Sequence, residues 1–185
     1  MPIRKLTLCA LFTAIIAILA QVAVPLPFSP VPLTGQVIGV MLAAVLLGSR
    51  AGVLTIIAYL LLGAAGAPVF SMARGGFHML SGPTGGYLWG FIPAAYFAGK
   101  ITEIVKEPSF YRTTTAMLVA LVCIYVCGGL QLGMIMRYNF NQIALTGIIP
   151  FLPLDLLKIG LAAFLAGQVE KALRLHQLGH ILGNK

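Results

Sequence analysis

The sequence predicts an all-α integral membrane protein with six transmembrane helices, on three observations. Hydrophobic residues make up 59% of the 185-residue chain and only 9% are charged, against roughly 25% charged in an average soluble domain. Most apolar segments are apolar all round, the pattern of helices whose solvent is itself hydrocarbon. A spanning helix takes about 20 residues, so a chain this short holds roughly six spans with little left over. A single transmembrane domain, residues 1–185, is the expectation.

The elements follow in order. Arg4 and Lys5 precede an apolar run over residues 6–24. A basic start before a hydrophobic stretch is also the form of a secretory signal, but this run exceeds the usual ~7–15 residues of a signal core and further spans follow, so it reads as the first span. Pro25, Pro27, Pro30 and Pro32 then exclude helix and imply an extended, stiff loop. The next apolar stretch, 34–47, breaks at Gly48-Ser-Arg-Ala-Gly52 and resumes over 53–62, which predicts two short spans joined by a tight turn at Arg50. Residues 69–86, VFSMARGGFHMLSGPTGG, are too broken for a regular span and too apolar for a free loop; irregular backbone buried against protein is expected. A fourth span over 87–101 ends in a charged turn, a fifth covers 113–136, and residues 137–142 form a polar loop. The sixth covers 148–172 and opens with Pro150 and Pro153, as helix starts do.

The charge distribution supports this division. With the N-terminus inside, Arg4, Lys5, Arg50, Lys100, Lys106, Arg112, Lys171, Arg174 and Lys185 all fall on the cytoplasmic side, and the outer loops keep only Arg74 and Arg137. Both termini are therefore expected in the cytoplasm. The same rule accounts for the net charge of +8, and no aromatic-interleaved basic patch points to nucleic acid. Cys9, Cys123 and Cys127 read as packing residues, because no His or carboxylate stands near the pair to complete a metal shell. No phosphate loop, HExxH or GxSxG motif occurs. No catalytic residue, metal or cofactor is assigned, and a chain that concentrates a solute by this design draws its energy from a partner or a gradient.

Polar groups inside the apolar stretches are the candidates for a site. Asp155 and Lys158 share one face of the last helix. Each charge costs roughly 2.5–3.5 kcal/mol at a helix centre and less near its end. Asp155 suits the positive end of the helix, so Lys158 is the member that calls for a further partner, such as a ligand. The alternative is an ion pair that only ties the helix into the bundle. Thr34 and Gln36 stand at the mouth of the second span, as ligand contacts or, for Thr34, as a helix cap. Arg74, Gly75 and Gly76, with His78, form a segment whose bare backbone could approach a ligand. Tyr87 and Trp89 are candidate walls. Ala10 and Ala14 offer a small surface on which another helix could lie.

Three motifs in order, Pro32-Leu-Thr-Gly-Gln36, Ser81-Gly-Pro-Thr-Gly-Gly-Tyr-Leu-Trp-Gly-Phe91 and Pro150-Phe-Leu-Pro-Leu-Asp-Leu-Leu-Lys158, resemble the hallmarks of the BioY family across nearly the whole chain. These are biotin-specific S components of energy-coupling-factor (ECF) transporters in bacterial cell membranes. The resemblance implies the six-helix S-component fold, capture of biotin from outside, and docking onto a transmembrane coupling subunit driven by two ATPase subunits. It implies that Asp155 and Lys158 contact biotin, that the segment over 75–86 covers the ligand, and that Ala10 and Ala14 meet the coupling subunit, the rest of the surface facing membrane lipid. An S component for another vitamin, an intramembrane enzyme using Asp155, Lys158 and His78, and a scaffold subunit stay open as alternatives, as does homo-oligomerisation.

The topology is directly testable. In a background without native cysteines, a cysteine at Ser109 should be shielded from an impermeant thiol reagent applied to intact cells, and one at Asn139 should label. The opposite pattern would invert the arrangement.

Overall fold

The computed structural model describes residues 3–105, 107 and 109–182, with side chains up to residue 172. Lys106, Lys185 and the side chain of Arg174, all expected on the cytoplasmic side, lie outside the described residues. Helix α1 (Ile3–Gln21) buries Cys9, Thr13, Ile16 and Ala20, one stripe at helical spacing. It lies on α2, where the Thr13 hydroxyl donates to the carbonyls of Cys9 (2.9 Å) and Thr55 (3.2 Å).

The proline-rich stretch is extended as expected, but it is not a lone loop. It forms an antiparallel hairpin of β1 (Ala23–Leu26) and β2 (Ser29–Thr34), pairing Ala23 with Thr34 and Val24 with Leu33. Two strands leave an open edge on each side, toward which a residue without an N–H can face at no loss.

Helix α2 (Gln36–Ala64) is continuous in the chain but folded in two at Gly48, whose φ of 80° and ψ of 177° are not helical. The Gln36 side chain donates to the Tyr59 hydroxyl at 2.7 Å across 23 residues of sequence, a separation that would be about 35 Å on a straight helix. The two halves therefore run antiparallel. The reversal lies at Gly48 and not at Arg50, which is exposed at the start of the second half. Backbone with this φ and ψ is essentially restricted to glycine. Ser49 closes the turn, its N–H and hydroxyl both donating to Glu103 Oε1 at 2.8 Å.

A 3₁₀ turn (Ser71–Ala73) and the short α3 (His78–Ser81) lead to α4 (Gly85–Ile104) and α5 (Phe110–Met136). Then come α6 (Phe140–Ile143), a π-helical turn (Ala144–Ile148) and α7 (Leu152–Leu182). The segment over 69–86 is irregular, as expected, but not wholly buried: Phe70 and Leu80 face inward while Met72, Arg74, Phe77 and His78 are exposed. It runs over one end of the bundle.

Helix α4 packs against both α2 and α5, α7 lies against the same two, and α1 covers α2. The contacts are made by small residues, with Ala43, Ala44, Ala94, Ala98, Ala116 and Ala162 fully buried. Lipid is as apolar as leucine, so helices in it associate by close packing more than by hydrophobic exclusion, and alanine lets their backbones approach. The outer surface is large and apolar, with Leu61, Val122, Leu130 and Leu157 exposed. Among the described residues four helices, α1, α2, α5 and α7, are long and apolar enough to cross a membrane; the fold at Gly48 makes α2 two shorter segments, and with α4 the long helices come to six segments. Alternation along the chain sets the start of α1, the Gly48 turn, the α4–α5 connection and the second half of α7 at one end of the bundle. There Arg112, from α5, joins α7 through an ion pair with Glu170 and donates to the Val105 carbonyl at 3.1 Å.

The reversal gives a test. Gly48→Ala should lower stability by about 1–3 kcal/mol, read as thermal unfolding in detergent. Gly160→Ala, whose added methyl meets nothing within 4 Å, should not lower it.

Candidate functional site

At the opposite end the hairpin, the start of α2, the segment over 69–84 and helices α4, α5 and α7 line a concave, partly open cavity, the usual form of a small-molecule site. Most of its wall is apolar, including Leu33, Phe70, Met79, Phe91, Ile124 and Phe151. Four of its polar groups bond to one another. Lys158 Nζ donates to Asp155 Oδ1 at 2.8 Å and to the Thr34 carbonyl at 2.8 Å, and the Tyr125 hydroxyl donates to Asp155 Oδ2 at 2.6 Å.

Local structure explains the placement. Asp155 lies in the first turn of α7, where the helix dipole favours a carboxylate, and one turn later Lys158 projects from the same face. Both side chains are largely buried, 6% exposed for Asp155 and 15% for Lys158, so each charge depends on the other. The arrangement is unsaturated. An ammonium has three N–H donors and a carboxylate about four acceptor sites, and the described residues take two of the former and two of the latter. The cavity thus offers a charged donor beside a charged acceptor, suited to a ligand in which a carbonyl stands next to N–H groups.

Of the residues singled out by sequence, Asp155, Lys158, Thr34, Gln36 and Tyr87 line this one cavity. Thr34 contributes its backbone carbonyl, and it does not cap α2, whose N-cap is Gly35 with no side-chain bond. Gln36 is 4% exposed, and its amide donates to Tyr59 OH, which donates in turn to the Val69 carbonyl at 2.8 Å. Among the described residues Gln36 Oε1 takes no protein donor. Tyr87 lies across Gly128, where a Cβ would fall 2.3 Å from the ring, and its hydroxyl donates to the Gly147 carbonyl in the π-helical turn at 2.9 Å.

Arg74, Gly75 and Gly76 are not on the cavity wall. Arg74 is exposed, and its carbonyl accepts from the Phe70 N–H at 2.9 Å. Gly75 packs on Ala67, whose carbonyl oxygen would lie 2.3 Å from a Cβ, and Gly76 has φ of 102°. These glycines let the chain fold back on the end of α2, and it is the preceding Phe70 and Ser71 that reach the cavity. Trp89 is no wall of it either: the ring is 43% exposed and its N–H donates to the Leu80 carbonyl at 3.1 Å. His78 is exposed on the outer surface. Ala10 and Ala14 are exposed on the face of α1 that does not pack on α2.

Sequence reasoning missed Tyr125, Tyr59 and Phe70. Tyr125 stands mid-way along α5 between Cys123 and Cys127, where a single hydroxyl within the apolar stretch 116–130 is the only signal. Its partner is 30 residues away.

Known proteins share both the sequence and the fold. A model described as the BioY family matches residues 1–175. A biotin transporter BioY of Thermotoga maritima is 39% identical over 168 residues, covering 91% of this chain and 96% of that protein. A biotin transporter BioY of Rhizobium etli is 37% identical over 179 residues, covering 91% and 94%. Among solved structures, the S component for biotin from an ECF-type ABC transporter superposes with a TM-score of 0.85 at 26% identity, covering 91% of this chain and 92% of that one.

Proposed function

The chain belongs to the BioY family, and we propose that it is the biotin-binding S component of an ECF-type transporter, taking up biotin across a bacterial cell membrane. The observation that carries this reading is the pair Asp155–Lys158 in the wall of an apolar cavity. Biotin's ureido ring has one carbonyl and two N–H groups. The remaining N–H of Lys158 donates to the carbonyl, and Asp155 accepts from an N–H. The fused ring system lies on the apolar wall formed by Phe70, Phe91 and Tyr87. A vitamin without this donor and acceptor set leaves the remaining N–H of Lys158 and the spare acceptor sites of Asp155 unmet in a desolvated site, which is how buried polar groups discriminate.

The subunit performs no bond chemistry of its own. Energy comes from two ATPase subunits through a coupling subunit, which meets the exposed Ala10 and Ala14 face of α1, and both termini lie in the cytoplasm. A surface of alanines permits close approach of a partner helix. Lipid surrounds the remaining apolar faces.

A titration of the purified protein with a panel of water-soluble vitamins should give tight stoichiometric binding of biotin alone; binding of thiamin or riboflavin in its place would overturn the substrate assignment. Lys158→Met by itself should be harmful on any reading, because it strands a buried carboxylate at a cost of about 3–5 kcal/mol. The double change Asp155→Leu with Lys158→Met removes both charges, so thermal stability should recover while biotin binding weakens by at least about a hundredfold. Near-native affinity in the double variant would reduce the pair to a structural tie. At the docking face, Ala14→Trp should abolish uptake by cells and leave biotin binding by the isolated subunit nearly intact.

A further inference from the structure

We infer that Gln21, the last residue of α1, is a positioning residue that latches the turn over residues 70–74 across the cavity, and so sets how long biotin is retained; the inference rests on the biotin reading above. The turn is closed by the Phe70 N–H donating to the Arg74 carbonyl at 2.9 Å. At its tip Met72 (φ 62°) and Ala73 (φ 54°) both adopt the left-handed conformation, which residues bearing a Cβ adopt at a cost, and here two do so in succession. Met72 is 42% exposed, so packing does little to hold the tip. Hydrogen bonds from outside the turn must hold it.

Those bonds come from Gln21. Its Oε1 accepts from the Ala73 N–H at 2.8 Å, and its Nε2 donates to the Phe70 carbonyl at 3.3 Å, with the Pro68 carbonyl at 3.5 Å. One amide thus grips both sides of the turn, an N–H on one and a carbonyl on the other, and Nε2 is steadied by the Ala17 carbonyl of its own helix at 2.9 Å. The base of the segment is held separately. Tyr59 donates to the Val69 carbonyl at 2.8 Å, and the Gly76 N–H donates to the Gly63 carbonyl at 2.6 Å. A segment fixed at its base and latched at its tip by one exposed side chain opens at the tip. Phe70 and Ser71 are the part of it that lines the cavity, and the Phe70 ring stands edge-on to Tyr59 at 5.5 Å. When the latch releases, Phe70 stays, 1% exposed and packed on Tyr59, while Ser71 leaves the wall with the tip and the mouth widens.

The test uses the full chain in detergent and compares wild type with Gln21→Met, which keeps the length of the side chain and loses its bonds, and with Gln21→Glu, which keeps the acceptor for Ala73. Three quantities are read: hydrogen exchange of the Ala73 amide, release of labelled biotin into excess unlabelled biotin, and thermal unfolding without ligand. Gln21→Met should speed both the exchange and the release about tenfold, the factor one lost hydrogen bond can give, with Gln21→Glu intermediate and the unfolding temperatures alike. Unchanged exchange, or unchanged release despite faster exchange, would overturn the latch. So would a fall in unfolding temperature that accounts for both, since Gln21 would then be only structural. Exchange needs no ligand, so a wild type that fails to retain biotin would refute the biotin reading and the retention role, while the exchange comparison would still show whether Gln21 holds the turn.

Discussion

The structure is organised around two charges kept out of water. Burying an ammonium or a carboxylate carries a penalty of several kcal/mol each, which only close partners offset. Asp155 and Lys158 supply one another, and the residual demand draws in the Thr34 carbonyl from the end of the hairpin and the Tyr125 hydroxyl from α5. One ion pair therefore joins α7 to elements far apart in the chain. The last helix is aligned by it, and the open sides of the pair face the cavity. The feature that secures the fold at this end is also the one with unspent hydrogen-bonding capacity.

The rest of the architecture keeps that cavity apolar and closed from the other side. The reversal at Gly48 returns α2 so that Tyr59 meets Gln36, and the second half of the helix backs the stretch of wall to which its start contributes Gln36 and Val37. Alanine-lined contacts draw the remaining helices together without large side chains. At the far end Arg112 and Glu170 join α5 to α7. Helix α7 is thus held by polar clamps at its first turn and again at Glu170, with an apolar surface between them.

Much of the site is legible in the sequence. Asp155, Lys158, Thr34, Gln36 and Tyr87 stand out because a polar residue in a hydrocarbon-facing sequence carries an energetic cost that needs a reason. The same logic errs at Arg74, Gly75 and Gly76. Glycines that permit a ligand to approach and glycines that permit the chain to approach itself look alike in sequence, and here they do the second. Trp89 misleads for a similar reason, since an amphipathic ring suits a cavity wall and an outer surface equally.

Length, apolar composition and the spacing of breaks are enough to imply an all-helical membrane bundle, because hydrocarbon admits few backbone arrangements in which every N–H and carbonyl is satisfied. The i,i+3 spacing on α7 is enough to pair Asp155 with Lys158, since that contact is local. The partners that complete the site are not local. Tyr125 is 30 residues from Asp155, and Thr34 is 124 residues from Lys158. The proline-rich stretch becomes a hairpin only through pairing with itself, and Thr34 acts through a backbone carbonyl that any residue could offer. Such contacts depend on how helices and turns pack in three dimensions, and packing is a property of the assembled bundle that no single stretch of residues encodes.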